Sequence, residues 1–295
     1  MLKVWQRQGL PTDANLSQMF PSDQREEILV DLEPLPKLKK WPTSRPELEA
    51  LRRNLDPYDS RRLPNKWPKR ISAWQTRDHV LMLRVHRGFF LSMGVNDWRR
   101  FTEVVRLVIE DPQFVREAMA IQAEFAARLA ERVLREVEVD AAVFTEPIGG
   151  SDRPLISPRM YEEFVLTSYK PVFDVLGRYG VETIVFRTFA NTRILIPSIL
   201  KWGFTCLWAC EVNNEAMDYR DLRRQFGRDL RLIGGIDLDA LRGDKEAVRR
   251  EVEEKVPPLV ADGGYVPLAD GRVREDVRFE NYVYYRRLLE KATQK

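Results

Sequence analysis

Val185-Phe186-Arg187-Thr188-Phe189-Ala190-Asn191-Thr192-Arg193 begins as an apolar strand, delivers a cation at the strand's end and runs into a helix. That is the corner of a β/α unit, and the fold depends on whether the unit repeats. It does. Toward the C-terminus, strands at Thr205 to Ala209, Leu230 to Ile233 and Tyr265 to Leu268 alternate with helices at Arg193 to Trp202, Tyr219 to Phe226, Lys245 to Asp262 and Phe279 to Lys291. Toward the N-terminus, Ala141 to Glu146 reads as a strand, and Ser157-Pro158 opens a helix expected to run to Gly180. Asp111-Pro112 looks like an N-cap with proline at the first helical position. The helix behind it carries Val115, Ala118, Met119, Ala126, Leu129, Ala130 and Val133 at helical spacing, a core stripe rather than a cofactor box.

Short apolar strands alternating with helices predict a parallel sheet covered by helices. Neither a Gly-x-Gly-x-x-Gly fingerprint nor a Gly-Lys-Ser/Thr phosphate loop follows any strand, which favours a closed barrel over an open nucleotide-binding sheet. Strand candidates lie near 28, 81, 141, 183, 205, 230 and 265. A TIM (β/α)8 barrel needs one more, so the expectation is such a barrel with a missing or atypical first strand.

The first third is irregular. Pro34 to Pro68 is rich in proline and lysine, with one helical candidate at Arg45 to Leu55, and the only strand candidate before it is Glu27 to Leu32. Residues 1–80 are therefore expected to pack on or complete a barrel formed by 81–295. Exposed tryptophans in this third would be natural contact residues.

With 48 basic and 45 acidic residues the charge is nearly balanced, which argues against a nucleic-acid protein built on a cationic surface. Anion binding must be local. The start Met-Leu-Lys-Val-Trp-Gln-Arg lacks the apolar core of a signal peptide, and no apolar run approaches the roughly 20 residues that span a bilayer. A cytoplasmic protein off the membrane is expected. Cys206 and Cys210 cannot make a disulfide framework; on a strand their Cα atoms stand about 13 Å apart, too far to share a zinc ion.

In a parallel barrel, chemistry sits at the C-terminal strand ends. Those ends carry Arg84, His86 and Arg87; Thr145 and Glu146; Arg187 and Asn191; Glu211 and Asn213; Asp237; Asp270 and Arg272. Arginines bind carboxylates or phosphates bidentately, and carboxylates can shuttle protons. Glu146, Glu211, His86 and Asp237 are the catalytic candidates; Arg84, Arg87, Arg187, Asn191, Asp270 and Arg272 are the substrate-binding ones. Charges at such a rim also pair with each other to hold loops, and a lone histidine is more often structural than catalytic.

Leu155-Ile156-Ser157-Pro158-Arg159-Met160-Tyr161-Glu162-Glu163-Phe164, Gly234-Gly235-Ile236-Asp237 with Ala240-Leu241, Gly263-Gly264-Tyr265-Val266-Pro267 and Glu280-Asn281-Tyr282-Val283-Tyr284-Tyr285 resemble the uroporphyrinogen decarboxylase superfamily. Trp5 with Gly9-Leu10-Pro11, and Arg87-Gly88-Phe89-Phe90 to Met93-Gly94, are similar to the branch that holds corrinoid-linked methyltransferases. The resemblance implies a TIM barrel and one of two chemistries. One is cofactor-free loss of carboxylates from a tetrapyrrole; the other is methyl transfer to or from a corrinoid protein, often with zinc.

Both signatures are altered. Arg7-Gln8-Gly9 is not the decarboxylases' Arg-Gln-Ala-Gly-Arg. Where the zinc enzymes read His-x-Cys-Gly-Asn, this chain has Arg187, Phe189, Ala190 and Asn191; Asp-His before the last helix is Asp270-Gly271. No zinc site of the family type is expected. The resemblance also implies a strand ahead of the Trp5 segment, where this sequence begins. A misplaced start, a shortened homologue and a rearranged residues 1 to 80 stay open. The expectation is an enzyme acting on an anionic small molecule, with corrinoid-linked methyl transfer first, decarboxylation second and a ligand-binding homologue without catalysis third. A corrinoid protein as partner and a homodimer stay open.

Overall fold

The computed structural model describes residues 1–150, 152–210 and 217–294. Seven strands follow one another in a single sheet: β1 (Arg25–Ile28), β2 (Val80–His86), β3 (Ala141–Glu146), β4 (Thr183–Thr188), β5 (Cys206–Ala209), β6 (Arg231–Ile236) and β7 (Tyr265–Ala269). Every neighbouring pair is parallel. Parallel neighbours need long crossovers, which here are mostly helical and cover one face of the sheet, while the curl of the sheet packs apolar residues on the other.

The period-2 alternation sorts these runs onto two faces. Leu81, Leu83, Ala142, Phe144, Ile184, Phe186 and Leu207 join the large core beneath the helices. Met82, Ala141, Val143, Val185, Cys206 and Trp208 form a second cluster on the opposite face. That face is concave: Arg25 of β1 lies over the Trp208 ring of β5, with its guanidinium carbon 4.6 Å from the centroid. In a flat sheet these strands would stand four spacings apart, roughly 19 Å, which no arginine spans.

The α/β expectation holds, with β strands at all seven expected places. Eight-stranded closure is not seen: among the described residues β1 pairs with β2 and β7 with β6, and neither edge strand pairs with the other. The two edges face a common groove of about 590 Å³ lined by Gln24, Arg25, Val266, Leu268, Tyr285 and Leu289.

Some boundaries differ from expectation for identifiable reasons. The helix expected from Ser157 to Gly180 is broken into Pro158–Phe164, a 3-10 turn at Leu166–Tyr169 and Lys170–Arg178. Pro171 has no N–H to donate back into the preceding turn, so a new helix starts around it. In the first third, Trp5, Trp67 and Trp74 are buried rather than available for contact; the Trp5 indole donates to the Val277 carbonyl at 2.8 Å. No helix among the described residues is long and apolar enough to cross a membrane.

Candidate functional site

The concave face carries charge where a barrel interior is ordinarily apolar. In Arg25-Glu26-Glu27-Ile28 the alternation puts residues 25 and 27 on that face. Glu27 receives two hydrogen bonds from Arg187, Nη1 to Oε2 at 2.8 Å and Nη2 to Oε1 at 3.1 Å, and one from Arg84 Nε at 2.8 Å. Arg187 Nη2 also donates to Thr145 Oγ1 at 2.8 Å, and its guanidinium lies over Trp208 at 5.2 Å.

Arg187 is 8% exposed, and its Nε is buried without a hydrogen-bond partner. Burial alone would raise the Glu27 carboxyl, but the hydrogen bonds and charge of Arg187, then those of Arg84, outweigh it and hold Glu27 below its ordinary value. The Arg25 guanidinium is lowered, first by desolvation and then by repulsion from Arg187, yet stays charged at any working pH. Among the described residues three guanidiniums thus surround one carboxylate, a surplus of two positive charges within this cluster.

Sequence reasoning had named Arg187 and Arg84 but not Arg25 or Glu27. The signal available was two charged residues at alternate positions of a strand.

A sequence model described as uroporphyrinogen decarboxylase (URO-D) matches residues 93–266, more than half of the chain. The chain belongs to the URO-D family. No curated protein matches it.

Other candidates of this URO-D chain stand elsewhere. Glu146 and His86 were expected at the rim beside Arg187, but both point from the sheet toward the helices. Glu146 follows Phe144 on the core face. Its Oε1 accepts the Phe89 N–H at 2.7 Å, and its Oε2 accepts the Tyr169 and Tyr161 hydroxyls at 2.7 and 3.0 Å. Gly88, at φ +85°, lets the chain pass against it; a Cβ there would lie 2.5 Å from the Thr145 carbonyl oxygen and 2.6 Å from Glu146 Oε1. His86 is turned to the core face by a register shift between Arg84 and His86. It packs 4.5 Å from the Tyr169 ring and accepts the Gly88 N–H on Nδ1 at 3.0 Å.

Three of the remaining candidates hold loops or helices. Arg87 pairs with Glu33 at 3.2 Å. Asn191 donates to the Asp152 carbonyl at 3.1 Å and accepts from the Arg193 N–H at 3.2 Å, tying the β3 loop to the β4 loop. Asp237 caps a helix by accepting the Asp239 N–H at 2.8 Å. Asp270 is buried at the end of β7, and Arg272 is exposed beyond it. Glu211 and Asn213 lie outside the described residues. Cys206 and Cys210 are buried on the concave face, and burial pushes the Cys206 thiol up to about 12.

Where the family's zinc enzymes carry ligands, the position of Arg187 cannot serve: a guanidinium donates five N–H groups and has no lone pair to offer. This corner does not fit the zinc site that the resemblance describes.

The buried pair on the core face has a consequence for stability. Burial pushes Glu146 up from 4.5 to about 7, against the hydrogen bonds of Tyr169, Phe89 and Tyr161 that favour the carboxylate. Burial, aided by the Arg87 charge, pushes His86 down from 6.5 to about 3. The stability tied to Glu146 is full below about 4.5 and is lost as pH rises to about 7. The stability tied to His86 is full above about 6.5 and is lost as pH falls toward 3.

Between 4.5 and 6.5 the two slopes oppose, each at most about 1.4 kcal/mol per pH unit, and nearly cancel. Glu146→Gln should unmask the histidine: stability of the variant is expected to climb with pH across that window by about 1 kcal/mol per unit more than the wild type does. Urea midpoints at half-unit intervals measure this, and parallel curves for the two proteins would refute it.

Proposed function

We propose that this URO-D-family chain is an enzyme whose substrate is a small carboxylate-bearing anion held on the concave face by Arg187, Arg84 and Arg25, and that its chemistry is corrinoid-linked methyl transfer. The carrying observation is the surplus of guanidinium over carboxylate around Trp208. Arg187 is withdrawn from water and balanced by Glu27, which leaves the more exposed Arg84 and Arg25 as the cations that an anionic substrate would match.

In this reading Glu27 and Thr145 fix the plane of the Arg187 guanidinium, so that its remaining N–H edge meets the substrate with its orientation already set. The branch-specific motifs around Trp5 and Arg87 to Gly94 support methyl transfer. The corrinoid would arrive on a partner protein and supply the methyl-accepting centre.

Decarboxylation is the second reading, favoured by the same arginines, since they would hold the carboxylates of a polycarboxylate substrate. It needs a proton donor for the carbon that loses CO2. Glu27 is held ionised and Glu146 faces the helices, so among the described candidates Asp270, buried at the end of β7, is the carboxylate this reading would call on.

One pair of assays separates the two. Incubation with a reduced corrinoid protein and a panel of methylated carboxylates is expected to change the corrinoid absorbance, while uroporphyrinogen keeps all its carboxylates on chromatography. Less-carboxylated products with no corrinoid response would replace the first reading by the second.

A further inference from the structure

The geometry points to a dianion as the ligand of the concave cluster: a short molecule with two carboxylates, one on Arg84 and Arg187 and the other on Arg25. This rests on the cluster being the substrate site and goes further by naming the class of substrate.

The unused donors lie in two places. On the inner side, Arg187 Nε is buried and unpartnered, its side chain only 10% exposed, and Arg84 spends Nε on Glu27, leaving its Nη groups. These two cations share one carboxylate, so a single further carboxylate neutralises that side. On the outer side, Arg25 stands in the groove between β1 and β7 with its guanidinium against the Trp208 indole.

The guanidinium carbons of Arg25 and Arg187 lie 4.6 and 5.2 Å from the same ring centroid, so they are at most 9.8 Å apart. After one guanidinium–carboxylate contact at each end, only a short spacer remains between the two acids. A monocarboxylate would leave Arg25 unmatched. Because Arg25 is exposed to the groove, water screens part of its charge, and its share of the affinity is about one order of magnitude rather than several. A phosphate places both charges on one group and would draw on the inner side alone, which distinguishes the two kinds of dianion.

Calorimetric titrations at low ionic strength test this with propionate, glutarate and inorganic phosphate against the wild type, Arg25→Ala and Arg25→Gln. The expected result is that glutarate binds the wild type at least tenfold more tightly than propionate does. Both variants should lose that advantage while keeping the wild-type affinity for propionate. Equal affinity for the two acids, or phosphate binding more tightly than glutarate, would overturn the assignment of a dicarboxylate. No saturable binding by any of the three would overturn the reading of the cluster as a substrate site, and this inference with it.

Discussion

Arg187→Ala is expected to weaken binding of a carboxylate ligand at least a hundredfold and to leave a folded protein. The side chain makes three hydrogen bonds, two of them charge-assisted to Glu27, and its Nε is buried without a partner. The Glu27 bonds orient the guanidinium, and a charge-assisted bond from its open Nε to the ligand is roughly twice as strong as a neutral one, so losing the oriented cation accounts for an effect of this size.

Stability should fall by about 2 kcal/mol. That is less than the 3–5 kcal/mol typical of breaking a buried pair, because Glu27 keeps Arg84 at 2.8 Å. Arg187→Lys should recover stability without recovering binding, since an ammonium cannot reproduce the fork that meets Glu27 on two oxygens. Calorimetry and urea denaturation on the three proteins measure both effects. Unchanged affinity in Arg187→Ala would make the residue purely structural.

Glu27→Ala has the larger expected effect on the fold. It removes the only carboxylate among the described residues that bonds Arg84 and Arg187, leaving two inner cations with each other and with Arg25 nearby. A loss of about 3–5 kcal/mol is expected. Its distinguishing feature is rescue. Millimolar glutarate should raise the melting temperature of Glu27→Ala by more than it raises that of the wild type, because ligand that binds only the folded state stabilises it by mass action. A variant as stable as the wild type, or one indifferent to glutarate, would show that the cluster carries no surplus charge for an anion to relieve.

The architecture was legible because parallel strands under helices advertise themselves as short apolar runs. Ala141 to Glu146 and Thr183 to Phe186 were placed with errors of at most two residues at either end. Family membership was legible from motifs such as Gly234-Gly235-Ile236-Asp237, whose glycines have a physical basis here. Gly235, at φ +83°, comes so near the Tyr219 ring that a Cβ would lie 2.6 Å from it. Tyr219 uses that closeness to accept the Ala209 N–H at 3.1 Å and donate to the Ile233 carbonyl at 2.9 Å, bridging β5 and β6.

The candidate site was only half legible, and parity explains most of the shortfall. Grouping all strand-end residues as a rim treats Thr145 and Glu146 alike, whereas the pleat sends Thr145 toward Arg187 and Glu146 toward Tyr161 and Tyr169. Alternation could have separated those two. It could not have placed His86, because the register shift before it leaves no mark in the sequence. Glu27 was hidden for another reason. Its partner lies 160 residues away, and only the curl of the sheet brings β1 across to β4.

The central claim is that the concave face holds an anion through charge the chain itself leaves unbalanced. A crystal structure of the protein grown with glutarate tests it most directly. One carboxylate is expected within hydrogen-bonding distance of Arg187 Nε and the Arg84 Nη groups, the other against Arg25, with the Glu27 pairs intact. Glutarate bound anywhere else, or excluded from that face while Arg187 Nε stays without a partner, would contradict the claim.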